Sequence, residues 1–410
     1  MKQQLLFTSF LFFIFLTCPN RSGFSQGQND EDFFKDIYPK DIKVGAERKE
    51  VYYPWLENKN VAIVANQTSI VENKHLTDIL LADNIKLVKI FCSEHGFRGT
   101  EEAGESINNN IDSKTGLPVV SIYGDKKKPS AEDLKNVDIV LFDMQDVGVR
   151  FYTYVSTMHY VMQACAENNV QMIILDRPNP NGYYIDGPVL EPKFKSFIGM
   201  HNVPLVHGLT LAEFACMING EGWLGNDLVC NLKYVTVESY KHNLLYQLPV
   251  KPSPNLASME STYLYPSLGL FEGTVISVGR GTLNPFEIFG RPKLTKNINY
   301  EFMPTAIKGM STSPKFLNTK CYGYELANFC NIYIKHFRKL YLFWILETYN
   351  DFDDKEHFFL PSFDKLAGTD KLRNMIIEGK TEENIRNSWK NDIEKYKIIR
   401  KKYLLYPDFE

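Results

Sequence analysis

Short apolar runs alternate along the chain with segments whose apolar residues recur at helical spacing. Val61–Ala65, Leu87–Cys92, Val119–Ile122, Ile139–Phe142 and Met172–Leu175 are brief and rich in β-branched residues. Such runs, apolar throughout rather than alternating, predict strands buried on both faces. Between them, Val155–Ala166 is amphipathic and closes at Asn168-Asn169. Thr210 with Glu213 forms a capping box that opens a helix to about Asn219. Ser130 with Asp133, just after Pro129, predicts a further helix start. Near the end of the chain, Gly368–Gly379 and Glu382–Lys402 predict helices. The last is amphipathic and ends in Lys and Arg, which suits the helix dipole and a structural role. Strands alternating with helices predict βαβ units and a mostly parallel sheet. The expectation is an α/β fold, with a Rossmann-like sheet domain over residues 46–240 and a second, smaller α/β domain over 241–410. Pro249, Pro252, Pro254, Pro266, Pro285 and Pro292 mark the change of character.

The start of the chain reads as an address. Lys2, the apolar run Leu5–Leu16 and the small residues Gly23 and Ser25 predict a signal peptide over residues 1–25. This predicts an exported, periplasmic protein, with lipid anchoring through Cys18 as the alternative. The run is too short to span a bilayer comfortably, and no other segment reaches the length of a transmembrane helix. Residues 26–45, polar and acidic, read as a flexible lead-in.

Composition narrows the function. The 410 residues are 44% hydrophobic and 23% charged, which excludes a disordered chain or a coiled coil. A net charge of -3 offers no basic excess for a phosphate backbone, so nucleic acid is not an expected partner. The aromatic content of 13% suits either sugar stacking or an aromatic-rich core. The cysteines show no metal-ligand spacing, and the sequence fixes no disulfide pairing. GxGxxG, Walker A, HExxH and GxSxG motifs are missing, so neither a metal nor a cofactor is expected.

The residues that follow the strands carry the chemistry. Asn66-Gln67-Thr68 follow the first, Ser93-Glu94-His95 the second, Asp143 to Arg150 a later one, and Asp176-Arg177-Pro178-Asn179 the next. In an open α/β sheet, ligands bind outside the carboxyl ends of the strands. Ser93 to Gly99 puts an acid, an imidazole and a guanidinium (Glu94, His95, Arg98) within one glycine-shaped turn. A carboxyl there can serve as a general acid, while the competing reading is an Arg–Glu pair that holds the loop. Asp143, Gln145, Asp146 and Arg150 precede Tyr152 and Tyr154, which suit covering a sugar face or filling a core. Arg177 suits a bidentate carboxylate. Glu272 and Arg280 bracket a glycine-rich stretch that could close a cleft from the second domain.

SEHGFRG (93–99), FDMQDVGVRFYTY (142–154), LDRPNPNG (175–182), VHGLTLAE (206–213), PSPN (252–255) and FEGTVISVGRGTLNPFEIFG (271–290) together resemble the exo-β-N-acetylmuramidase family. The resemblance runs from about residue 45 to the end and is weakest over residues 310–360. It implies an exported hydrolase that removes N-acetylmuramic acid from the non-reducing ends of peptidoglycan fragments. It also implies a Rossmann-like domain without a nucleotide, packed on a smaller domain with the active site between them. Glu94 would be the catalytic acid/base. His95, Arg98, Asp143, Gln145, Asp146, Arg150, Tyr152, Tyr154, Arg177, Glu272 and Arg280 would line the sugar site. The second group of a glycosidase could be Asp143, Asp146, Glu101, Glu102 or Glu105, or the substrate's own acetamide oxygen. Arg98, Arg150 and Arg177 are the candidates for the lactyl carboxylate. The alternative function is a non-catalytic protein that binds wall muropeptides. An amidase or esterase would need a nucleophile–base pair or a metal, and neither spacing is visible.

Overall fold

The computed structural model describes residues 41–94, 96–98, 110–294, 298–333 and 338–410. The expected signal peptide and Cys18 lie outside the described residues, as do His95, Glu101, Glu102 and Glu105. Residues 40–410 pack as one compact unit.

Its centre is a seven-stranded sheet. In chain order the first nine strands are β1 (Val61–Ala65), β2 (Ile70–Val71), β3 (Lys74–His75), β4 (Leu87–Cys92), β5 (Asn110–Ile111), β6 (Pro118–Ser121), β7 (Ile139–Asp143), β8 (Gln171–Leu175) and β9 (Leu232–Val235). The spatial order in the sheet is β5-β6-β4-β1-β7-β8-β9. Only β5 runs antiparallel to its neighbour; the other six strands are parallel. β1 and β7 are buried at every position, as expected of central parallel strands covered on both faces. The small hairpin β2–β3 turns at Glu72 and Asn73, both at positive φ, the geometry of a tight primed turn. Gly45 threads close beneath the strand ends, where a Cβ would stand 2.5 Å from the Val235 carbonyl oxygen.

Helices flank the sheet. They include α1 (Lys49–Leu56), α2 (Leu76–Ala82), α3 (Tyr154–Glu167) and α4 (Leu211–Gly220). Thr210 and Glu213 cap α4 reciprocally, Thr210 N donating to Glu213 Oε2 at 2.9 Å. The Ser130–Asp133 motif forms its capping hydrogen bonds but opens no helix. Asn136 adopts positive φ before β7 begins at Ile139, so a turn is all the chain has room for.

Beyond residue 258 the described residues form α5 (Met259–Leu268), a three-stranded antiparallel sheet and five further α-helices. The sheet has the order β10 (Ile288–Arg291), β12 (Cys321–Glu325), β11 (Tyr300–Phe302). The helices are α6 (Ala327–Tyr333), α7 (Phe343–Asn350), α8 (Phe363–Ala367), α9 (Lys371–Ile377) and α10 (Glu382–Arg400). α10 buries Ile385, Trp389, Ile393, Tyr396 and Arg400, one stripe at helical spacing. This stripe packs back on the large sheet's half: Tyr396 Oη donates to the His207 carbonyl, and Arg400 to that of Gly208. The six described cysteines are all free, and among the described residues no helix is long and apolar enough to cross a membrane.

Arg150 joins the two halves. It is buried, and its Nη groups donate to the carbonyls of Pro188, Val203, Leu366 and Ala367 at 2.6–3.2 Å. Burial pulls its pKa down to about 9, still far enough above neutrality to keep the charge. The guanidinium proposed for a substrate carboxylate is therefore committed to backbone. Arg150→Met strands those carbonyls in the interior. It should lower the unfolding free energy by about 3 kcal/mol, read as a lower urea midpoint at unchanged m-value. A midpoint equal to the wild type would contradict this role.

Candidate functional site

The strand order reverses between β1 and β7, since the chain builds outward through β4 and β6 on one side and through β8 and β9 on the other. Such a switch point opens a crevice at the carboxyl ends of the strands. Asn66 follows β1 and donates across this point to Tyr154 Oη at 2.8 Å, at the start of α3. Glu94 follows β4 and is half-buried. Both of its carboxylate oxygens accept a hydroxyl proton, Oε1 from Tyr123 at 2.7 Å and Oε2 from Thr153 at 3.0 Å. Tyr123 follows β6 and Thr153 precedes α3, so two loops hold one carboxylate.

Aromatic rings form the floor beside it. Tyr152 and Tyr154 meet edge to face at 4.7 Å, and Tyr265 from α5 stands 6.1 Å from Tyr152. Tyr152 Oη donates to the Pro252 carbonyl at 2.7 Å. Burial raises the Tyr154 pKa, and the charges of Glu94 and Asp146 add to the effect, so both carboxylates lie near that hydroxyl. The second half of the chain contributes Glu272 and Arg280, joined at 2.6 Å and each 27% exposed. Burial opposes the Arg280 charge, but Glu272 outweighs it, with further help from Tyr265 and Glu94, and the pKa ends above its usual value. Arg280 therefore sits in the field of both Glu272 and Glu94. Behind them Lys315 Nζ donates to the carbonyls of Phe271, Glu272, Thr274 and Ile276, fixing the segment that carries Glu272.

The model described as Exo-beta-N-acetylmuramidase NamZ, N-terminal, matches residues 61–260, and its C-terminal counterpart matches residues 263–406. The chain belongs to the exo-β-N-acetylmuramidase family. A Bacillus subtilis protein named peptidoglycan beta-N-acetylmuramidase NamZ is 40% identical over 377 residues, covering 87% of this chain and 89% of that one. Two crystal structures of DUF1343 family proteins from Bacteroides fragilis share the fold. One has a TM-score of 0.83 at 46% identity and covers 90% of this chain and 99% of its own. The other has a TM-score of 0.74 at 29% identity and covers 89% and 99%.

Against this family background, the expected site residues divide. Glu94, Asp146, Tyr152, Tyr154, Glu272 and Arg280 gather around the crevice. Asp143 and Arg177 bind each other instead, at 2.6 and 2.9 Å, with side chains 0% and 2% exposed. The carboxylate that Arg177 receives is thus the protein's own. Arg98 forks onto Asp112 at 2.8–3.2 Å and lies over the Phe97 ring. Gln145 is buried and donates to the carbonyls of Asp146 and Pro178, both at 2.8 Å. His95 lies outside the described residues. Tyr123, Thr153, Tyr265 and Lys315 were not singled out in the sequence. Tyr123 and Thr153 carry the same signal as the others, a polar residue beside a strand end or helix start. Tyr265 and Lys315 reach the site only through tertiary packing.

Asp146 gives the site a pH signature. It is buried, its Oδ1 accepts from Gly148 N at 2.7 Å, and its Oδ2 has no partner among the described residues. Burial raises its pKa from 3.8 to about 7, against the pull of the Gly148 and Val147 amides. The native state therefore holds a proton that the unfolded chain releases between roughly pH 4 and pH 7. The associated stability is full below about pH 4 and lost as pH rises through about 7. Asp146→Asn should flatten that decline, which is on the order of 4 kcal/mol at about 1.36 kcal/mol per pKa unit. Urea unfolding at several pH values across this window measures it, and identical pH slopes in variant and wild type would refute the assignment.

Proposed function

We propose that this chain is an exo-acting glycoside hydrolase that releases N-acetylmuramic acid from the non-reducing ends of peptidoglycan fragments, with Glu94 as its catalytic acid/base. The observation that carries the reading is the placement of Glu94. At the carboxyl edge of the sheet, its carboxylate is part-exposed, oriented by two hydroxyls and bounded by tyrosine rings. The named activity of the Bacillus relative supports the same reaction class. A glycosidase needs a carboxyl that gives a proton to the leaving oxygen and later removes one from water. Glu94 suits this task. Asp143 does not suit the partner role at the anomeric carbon, because its ion pair with Arg177 closes it off.

Selectivity for a muramyl sugar requires a cation for the lactyl carboxylate, since an unpaired buried charge is strongly rejected. We assign this to Arg280. Its Nε is held by Glu272 at 2.6 Å, and no hydrogen bond engages its Nη groups among the described residues. A guanidinium held on one edge presents the other to a second carboxylate. Peptidoglycan lies outside the cytoplasmic membrane. Export through residues 1–25 into the periplasm, with Cys18 as an alternative lipid anchor, belongs to the same proposal.

Glu94→Gln keeps the shape and the hydroxyl contacts but cannot exchange the proton. It should lower release of N-acetylmuramic acid from a muramyl-ended disaccharide by at least about 100-fold, the usual worth of a general acid. Its unfolding midpoint should stay near that of the wild type. Turnover within a few-fold of the wild type would remove Glu94 from the reaction.

A further inference from the structure

A cavity of about 500 Å³ is lined by residues outside the Glu94 site. Its size is that of a ligand-binding pocket. Lys127, Lys195, Ser196, Phe197, His201 and Trp223 are among its lining residues. Its walls are flat rings: Trp223 stacks on His201 at 5.0 Å, and Tyr160 on Phe197 with planes 15° apart. Its charge is one-sided. No Asp or Glu lines it, and neither Lys127 nor Lys195, both exposed, has a carboxylate partner among the described residues. A cationic pocket in a chain of net charge -3 calls for an anion. The Ser196 hydroxyl is buried here without a hydrogen-bond partner among the described residues. His201 Nε2 and His159 Nδ1 lie 3.0 Å apart, and burial lowers the pKa of both rings. The histidines are therefore neutral at pH 7, and the two lysines supply the positive charge.

One tyrosine joins this pocket to Glu94. Tyr123 donates its hydroxyl to Glu94 at 2.7 Å, while its ring stands 6.0 Å from that of Phe197 on the pocket wall. We infer that the Lys127–Trp223 pocket binds the leaving side of the substrate, sugar faces on its aromatic walls and a carboxylate of the released fragment on Lys127 and Lys195. This rests on the proposed activity for the direction of the chain, but not for the chemistry of the pocket. The carboxylate has two sources in a wall fragment, the lactyl group of the next muramyl sugar and the stem peptide attached to it.

The probe is a fragment that begins with N-acetylglucosamine and continues with N-acetylmuramic acid, which an exo-muramidase cannot cleave. It is titrated calorimetrically into the intact protein, with and without its stem peptide. The wild type is expected to bind, and the Lys127→Glu/Lys195→Glu variant to bind at least tenfold more weakly. Both positions are exposed, so the fold should be unaffected. Tight binding of the peptide-free probe assigns the lactyl carboxylate; binding only of the peptide-bearing probe assigns the stem peptide. Either result supports the pocket. Equal affinities in wild type and variant, or no binding of either probe to the wild type, would overturn it. Release of N-acetylmuramic acid from a muramyl-ended fragment is assayed on the same preparation. Failure there overturns the proposed reaction while leaving the titration to judge the pocket.

Discussion

Asp143 ends β7 and Arg177 lies two residues past the end of its parallel neighbour β8, and their side chains are buried against each other. A lone charge at that depth would be prohibitively costly, and removing either partner would leave the other uncompensated. The pair also gathers its surroundings. Arg177 donates to the Ile70 carbonyl on the hairpin after β1, and Ser69 donates to the Asp143 carbonyl. The ends of β1, β7 and β8 are thereby tied at the point where the strand order reverses. The next carboxylate along, Asp146, is released from that network. So is Glu94, which takes its own partners from two other loops.

Four carboxylates near one edge thus meet four environments. Asp143 is neutralised by a guanidinium, Asp146 is pushed towards protonation by burial, Glu272 is joined to Arg280, and Glu94 is oriented by neutral hydroxyls while partly open to solvent. Chemistry that needs a carboxyl within reach of a substrate is best served by the last, because hydroxyls fix its position while one side stays open to solvent. The division follows from burial and partners, not from residue type, since all four are ordinary Asp or Glu.

Much of this was legible in the sequence. Uniformly apolar runs such as Ile139–Phe142 announced buried strands, and the Thr210–Glu213 box announced its helix. The polar residues after each run share one sheet edge because a parallel sheet delivers all its carboxyl ends to one side. The sequence could not say which of those residues would bind one another. Arg98, Arg150 and Arg177 share a residue type and a strand-end setting. Asp112, a set of backbone carbonyls and Asp143 claim them respectively, and those partners lie 14 to 217 residues away. The Ser130 motif misled because capping bonds form in a turn as readily as in a helix when the next strand begins too soon. Lys315 lies where the family resemblance is weakest, and its role arises from carbonyls some 40 residues earlier.

The central claim is that two hydroxyls hold the Glu94 carboxylate where the reaction occurs. The most direct test is the steady-state rate of the Tyr123→Phe/Thr153→Val variant on a muramyl-ended disaccharide. Both substitutions remove the hydroxyl while nearly preserving shape. The account predicts a kcat lower by at least about tenfold, in line with the cost of losing aligned hydrogen bonds, with KM and the unfolding midpoint nearly unchanged. A kcat equal to the wild type would contradict it.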